Sequence, residues 1–136
     1  MRISTAADLG IRGMAFLAQN YRNGPVPMAT ICQEQGLPRQ YTHKVFAALG
    51  RAGLVHTKRG KGGGFVLARP PADISILNII EAIEGQLVLN SCQSNPPRCR
   101  WNSDDCPIRP LWHELQGITS RKLAEFRLDR AVSASP

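Results

Sequence analysis

Apolar positions in the first half of the chain recur at helical spacing and are interrupted by turn residues. Leu9, Met14, Phe16 and Leu17, with small Ala and Gly residues between them, predict a helix reaching about Ala18. Thr5 followed by Asp8 predicts a capping box at its start, and the run Asn23-Gly-Pro-Val-Pro27 predicts its end. A short helix from about Met28 to Gln35 closes at Gly36, which suits a left-handed C-terminal cap. Pro38 suits the first turn of the next helix. From Arg39 to about Ala52, the residues Tyr41, Val45, Phe46 and Leu49 recur at spacings of three and four and predict one buried stripe. Arg39, Gln40, His43 and Lys44 fall on the opposite side and toward the N-terminal end. Two short helices joined by a tight turn, the second showing polar and basic residues, describe a helix-turn-helix.

The pattern then shifts to short apolar runs. Leu54–Thr57 and Phe65–Ala68 predict paired strands, with Lys58-Arg-Gly-Lys-Gly-Gly-Gly64 as the hairpin tip. The tip has neither the Walker nor the Rossmann spacing, which argues against a nucleotide loop. Lys58, Arg59 and Lys61 supply charge, while glycines such as Gly62 let the main chain approach a phosphate backbone closely. Beyond the hairpin, Ser75 predicts the cap of a helix carrying Ile76, Leu77, Ile79, Ile80 and Ile83 and ending at Gly85, too apolar for the surface. A long helical pattern runs from about Pro110 to Arg130, with Leu111, Leu115, Ile118 and Phe126 on one side and Trp112 and Leu123 beside them. Such a helix would be about 30 Å long, and its apolar side predicts packing against a second copy in a homodimer. The expected fold is mainly α with a small β-hairpin wing. It comprises a winged helix-turn-helix at 1–85, a cysteine-rich loop at 86–109, and a dimerisation helix with a frayed tail at 110–136.

Composition narrows the function. The 136 residues, 43% of them hydrophobic, fit one folded domain. No stretch approaches the roughly 20 apolar residues of a membrane span, and no basic-then-apolar leader opens the chain, which predicts a cytoplasmic protein with no membrane partner. The net charge of +7 is one-sided: residues 1–70 carry ten Lys/Arg against Asp8 and Glu34, whereas 71–136 carry seven against eight acids. A basic first half built as a winged helix predicts double-stranded DNA as its partner. Arg39, Gln40, Tyr41, His43 and Lys44 of the recognition helix and Lys58, Arg59, Lys61 and Gly62 of the wing are the candidate contacts. Gln40, His43 and Lys44 are placed for base edges. Arg39, Arg59 and Lys61 are placed for phosphates or the minor groove.

Three of the four cysteines, Cys92, Cys99 and Cys106, are each separated from the next by six residues in a segment of Pro, Asn, Ser, Asp and Arg that has almost nothing to bury. In a reducing compartment clustered thiols bind metal or sense redox state more often than they form structural disulfides. Six-residue gaps differ from the two-to-four-residue gaps of structural zinc sites, although three thiolates with a histidine stay open as a zinc set. A disulfide switch stays open as well. Cys32, inside a predicted helix, is expected to be a small buried residue.

With these pieces placed, the chain resembles the iron–sulfur winged-helix regulators of bacteria, the group containing IscR, NsrR and RirA. The resemblance rests on Met1-Arg-Ile-Ser-Thr, Gly36-Leu-Pro-Arg-Gln-Tyr41, Arg59-Gly-Lys-Gly-Gly-Gly-Phe65, Ile79-Ile-Glu-Ala-Ile-Glu-Gly85, the three-cysteine loop and Pro110-Leu-Trp112. It implies a homodimeric transcription factor, not an enzyme and without a small-molecule substrate. It also implies a [2Fe–2S] or [4Fe–4S] cluster on Cys92, Cys99 and Cys106 that alters affinity for a promoter operator in response to nitric oxide, iron, oxygen or redox poise. The IscR-like pattern has a histidine where this chain has Arg109, and arginine cannot ligate iron. The NsrR-like pattern takes an aspartate near the N-terminus of the partner subunit, and Asp8 stands at that place, where it could equally serve only its own helix. His113 is expected at the surface. The resulting expectation is a cluster-controlled repressor. A cluster-free, thiol- or partner-controlled regulator and a small iron–sulfur electron carrier remain the alternatives.

Overall fold

The computed structural model describes residues 2–94 and 106–133. Three helices open the chain: α1 (Thr5–Gln19), α2 (Met28–Gln35) and α3 (Arg39–Arg51). A hairpin follows, β1 (Val55–Lys58) paired antiparallel with β2 (Gly64–Leu67), His56 opposite Val66. After a 3-10 turn at Pro71–Asp73 come α4 (Ile76–Glu84), the four-residue α5 (Ser91–Ser94), α6 (Arg109–Glu125) and α7 (Leu128–Ser133). This is the mainly helical winged helix-turn-helix that the sequence predicts.

One core lies between α1, α3 and α4 and is closed by the hairpin and α7. Met14, Ile31, Phe46, Leu49, Leu54, Ile74, Ile79 and Leu128 are all essentially inaccessible to solvent. Phe46 meets Phe65 of β2 edge to face, with ring centroids 5.0 Å apart, so the wing is anchored on the recognition helix. A second anchor was not legible from the strand patterns. Val26 in the α1–α2 loop exchanges both backbone hydrogen bonds with Phe65, at 3.0 and 2.8 Å. A Cβ on Gly64 would lie 2.4 Å from the Val26 carbonyl, so only glycine allows that approach. The hairpin base is thus held from two sides while its tip projects.

Four details differ from the sequence expectations, each for a local reason. Ser4, not Thr5, caps α1 by accepting from the Ala7 N–H at 3.1 Å, and no capping box forms with Asp8. Thr42, not Tyr41, completes the buried stripe of α3. Its hydroxyl donates to the Pro38 carbonyl at 2.7 Å, so a polar side chain is buried without an orphaned group, and Tyr41 is left 43% exposed. The Pro110–Arg130 helix is not continuous. It ends at Glu125, Phe126 turns to extended backbone, and α7 folds back onto α1 with Leu128 fully buried. Backbone pairing fixes the break: Ile76 donates to the Phe126 carbonyl and Leu128 to that of Ile74, both at 3.0 Å. The uninterrupted helix α6 is therefore 17 residues, about 25 Å. Residues 131–133, expected to fray, belong to α7.

Candidate nucleic-acid interface and cysteine cleft

The buried side of α3 consists of Thr42, Val45, Phe46 and Leu49. At 3.6 residues per turn, this side turns Gln40, Lys44, Ala47 and Arg51 to within about 60° of one another on the far side, with His43 adjacent. All of these residues are exposed, as are Arg39 and Tyr41. Gln40, Tyr41, His43 and Lys44 line a shallow surface groove of about 520 Å³. Ala47 and Arg51 were missed in reading the sequence, although the same periodicity that marks the core assigns them to the outward face. Lys58 ends β1, and Arg59, Lys61 and Gly62 are exposed at the hairpin tip. Gly62 adopts φ +76°, a left-handed conformation that a side chain disfavours. Among the described residues no Lys or Arg of α3 or of the tip is engaged in an ion pair, so their charge is available to a polyanion.

The second region surrounds the cysteines. Cys92 sits in α5 and Cys106 just before α6, each a free and partly exposed thiol, while Cys99 lies outside the described residues. Cys32 is buried in the core from α2, as expected. Cys92 lines a cleft of about 630 Å³ together with Gln93, Arg109, Trp112 and His113. His113 is exposed at the surface while also contributing to this lining. Two glutamines, not singled out in the sequence, tie the 87–93 segment to α6. Gln116 accepts from the Leu89 N–H at 3.0 Å and donates to the Leu87 carbonyl at 2.6 Å and to Ser120 Oγ at 3.1 Å. Gln93 Nε2 donates to the Trp112 carbonyl at 3.2 Å, whereas its Oε1 is buried and finds no donor among the described residues. At the other end of the loop, Cys106 offers its carbonyl to the Arg109 N–H at 3.2 Å and so starts α6.

Asp8 stands on the first turn of α1, its side chain 61% exposed, with Arg12 at 3.8 Å. It does not line the cysteine cleft. Helix α6 buries none of its residues fully: Leu111, Leu115 and Ile118 are 50%, 38% and 46% exposed and recur at spacings of four and three, a row of apolar side chains facing outward. No helix among the described residues is long and apolar enough to cross a membrane.

A helix-turn-helix with an uncommitted basic face and a glycine-rich basic wing defines a DNA-reading protein. The family described as "Rrf2: Iron-dependent Transcriptional regulator" matches residues 3–134, and the chain belongs to that family. It is 36% identical to an HTH-type transcriptional regulator of Neisseria meningitidis serogroup A over 132 residues, 97% of this chain and 88% of that relative. The fold is similar to the structure of CymR, the global cysteine regulator of B. subtilis, with a TM-score of 0.85, 27% identity and coverage of 100% of this chain and 99% of that one. It is also similar to T. potens IscR, with a TM-score of 0.78, 30% identity and coverage of 99% and 89%. The protein is a DNA-binding transcriptional regulator and not an enzyme.

Proposed function

We propose that this regulator is a homodimeric repressor of promoter operators whose DNA affinity is set by an iron–sulfur cluster held on Cys92, Cys99 and Cys106. The observation carrying this reading is the setting of Cys92 and Cys106. Both are free and partly exposed, one beside a cleft in α6 and one at the start of that helix. Thiolates are the usual ligands of such clusters, so the donor set fits the group. Asp8 of the partner subunit is the fourth ligand in this reading, which suits its exposure and its position away from the cleft of its own protomer. When bound, the cluster would supply a centre that reacts with nitric oxide or oxygen and whose assembly follows iron supply. The remaining work belongs to the chain.

The apolar row of α6 covers itself against the same row of a second copy, which brings two recognition helices to a two-fold-related pair of half-sites. Gln116 and Gln93 carry the order of the cysteine segment into α6, because they hydrogen-bond the backbone on both sides. A shift of that segment thereby biases the dimer between two arrangements of α3, which is how a local event acquires a DNA readout. The family description, an iron-dependent regulator, supports the same direction.

The test is anaerobic purification with iron and acid-labile sulfide counted in wild type and Asp8→Ala. Wild type should carry both in equal amounts, with Asp8→Ala losing or altering them. An identical cluster and an identical nitric oxide response in Asp8→Ala would remove the aspartate. A cluster-free thiol switch is the second reading, since two partly exposed thiols can also pair by oxidation. Iron-free protein whose DNA affinity follows reversible thiol oxidation would establish it instead.

A further inference from the structure

We propose that the outward face of α3 reads guanine edges: its half-site carries at least one guanine contacted through N7 and O6 by Lys44 or His43, flanked by an adenine under Gln40 and a thymine under Ala47. The inference rests on this face being the DNA-contacting surface and specifies what that surface selects. Helix α3 contains no carboxylate. Lysine and arginine side chains only donate hydrogen bonds, and a histidine donates from at least one ring nitrogen. Along the exposed stripe the side-chain acceptors are thus few, chiefly the amide oxygen of Gln40 and one imidazole nitrogen. The base edges of the major groove sort accordingly. Guanine offers two acceptors, N7 and O6, whereas cytosine offers an N4–H donor that asks for an acidic partner, and α3 has none to give. A donor-rich face therefore meets a G·C pair from its guanine side.

Gln40 carries the side-chain amide of this face, which presents a donor and an acceptor side by side, the pattern that adenine N6 and N7 complement. Ala47 lies on the same stripe with only a methyl group, which lets the helix sit close and touch the C5-methyl of thymine. The spacing is commensurate with the ligand. At 1.5 Å per residue Gln40 and Lys44 are about 6 Å apart along the axis, and Gln40 and Ala47 about 10 Å. These separations correspond to about two and three base-pair steps of about 3.4 Å. Arg51, one further turn along, reaches the flanking phosphates.

The experiment selects binding sites from a random duplex library with the full-length protein, in its cluster-loaded and cluster-stripped forms. It then replaces single guanines of the enriched half-site with 7-deazaguanine, which removes N7 but keeps base pairing. A central guanine whose replacement weakens binding about tenfold in wild type, and has little effect in Lys44→Ala or His43→Ala, is the expected result. These side chains are exposed, so the variants keep the fold. Gln40→Ala with 7-deazaadenine reports the adenine contact in the same way. Enriched sites that lack guanine, or that ignore 7-deazaguanine at every position, would overturn the specificity while leaving DNA binding by α3 in place. Failure of both forms to enrich any duplex, or enrichment unaltered by every α3 variant, would overturn the placement of DNA on α3 itself.

Discussion

Gln116→Leu isolates the connection between the cysteine segment and α6. The substitution keeps the volume of the side chain and removes three hydrogen bonds, to Leu87 O, Leu89 N and Ser120 Oγ. Each such bond contributes about 0.5–1.5 kcal/mol net. The two backbone partners are part-buried and become free to reach water once the segment lifts, so the lower half of that range applies. Only the bonds to Leu87 and Leu89 cross from α6 to the segment, so the summed loss is about 1.5 kcal/mol in the free energy of local opening, or about tenfold in the opening equilibrium. Native-state hydrogen exchange of the Leu89 amide reads this directly, because that amide is the donor to Gln116 Oε1. Its protection should fall about tenfold in Gln116→Leu, while amides of the core helices such as Ile79 stay unchanged. Gln116→Glu retains the acceptor for Leu89 but loses the donor for Leu87, and should fall between the two. The thermal midpoint should hardly move, because α6 has no fully buried residue. If Leu89 exchanged at the wild-type rate in Gln116→Leu, the glutamine would not be holding the segment, and its part in transmission would be withdrawn.

Other consequences can be checked separately. Leu128→Ala empties a fully buried position against α1 and should cost about 2–5 kcal/mol, seen as a lower denaturant midpoint at unchanged slope. Leu115→Asp with Ile118→Asp should convert the proposed dimer to a monomer in light scattering without lowering the stability of the single chain, since both side chains are exposed in it. Lys61→Ala should weaken binding to all duplexes alike and reduce the salt-dependence slope by about one. A loss confined to the cognate site would reassign Lys61 to base reading.

The helix-turn-helix was legible because each of its signals is local. Gly36 takes the left-handed cap conformation at φ +61°, Pro38 precedes α3, and the periodicity of Val45, Phe46 and Leu49 points inward as expected. Ser75 caps α4 as predicted, and Asn78 completes a box that the residues alone did not announce. What stayed hidden depends on partners distant in sequence. Nothing in Glu125-Phe-Arg-Leu128 breaks a helix by composition; the break arises because Leu128 is buried and its backbone pairs with Ile74, more than fifty residues earlier. Tyr41 and Thr42 are neighbours that exchange roles because the Thr42 hydroxyl finds the Pro38 carbonyl, a bond that no hydrophobicity pattern encodes. Gln116 and Gln93 read as ordinary surface residues of a helix and a loop, and only the proximity of the 87–93 backbone to α6 turns them into a latch. The spacing of Cys92, Cys99 and Cys106 marks a thiol cluster without choosing its chemistry, and Cys99 lies outside the described residues.

The proposed function requires that occupancy of the cysteine site set DNA affinity. Its direct test is the dissociation constant for one selected operator, measured by anaerobic titration at fixed salt with cluster-loaded protein, with the same preparation after nitric oxide or chelator treatment, and with Cys106→Ala. The two wild-type forms should differ by about tenfold or more, within the range of ordinary allosteric coupling. Cys106→Ala should bind like the stripped form whatever the treatment. Equal affinity of the loaded and stripped wild-type protein would contradict cluster control of DNA binding.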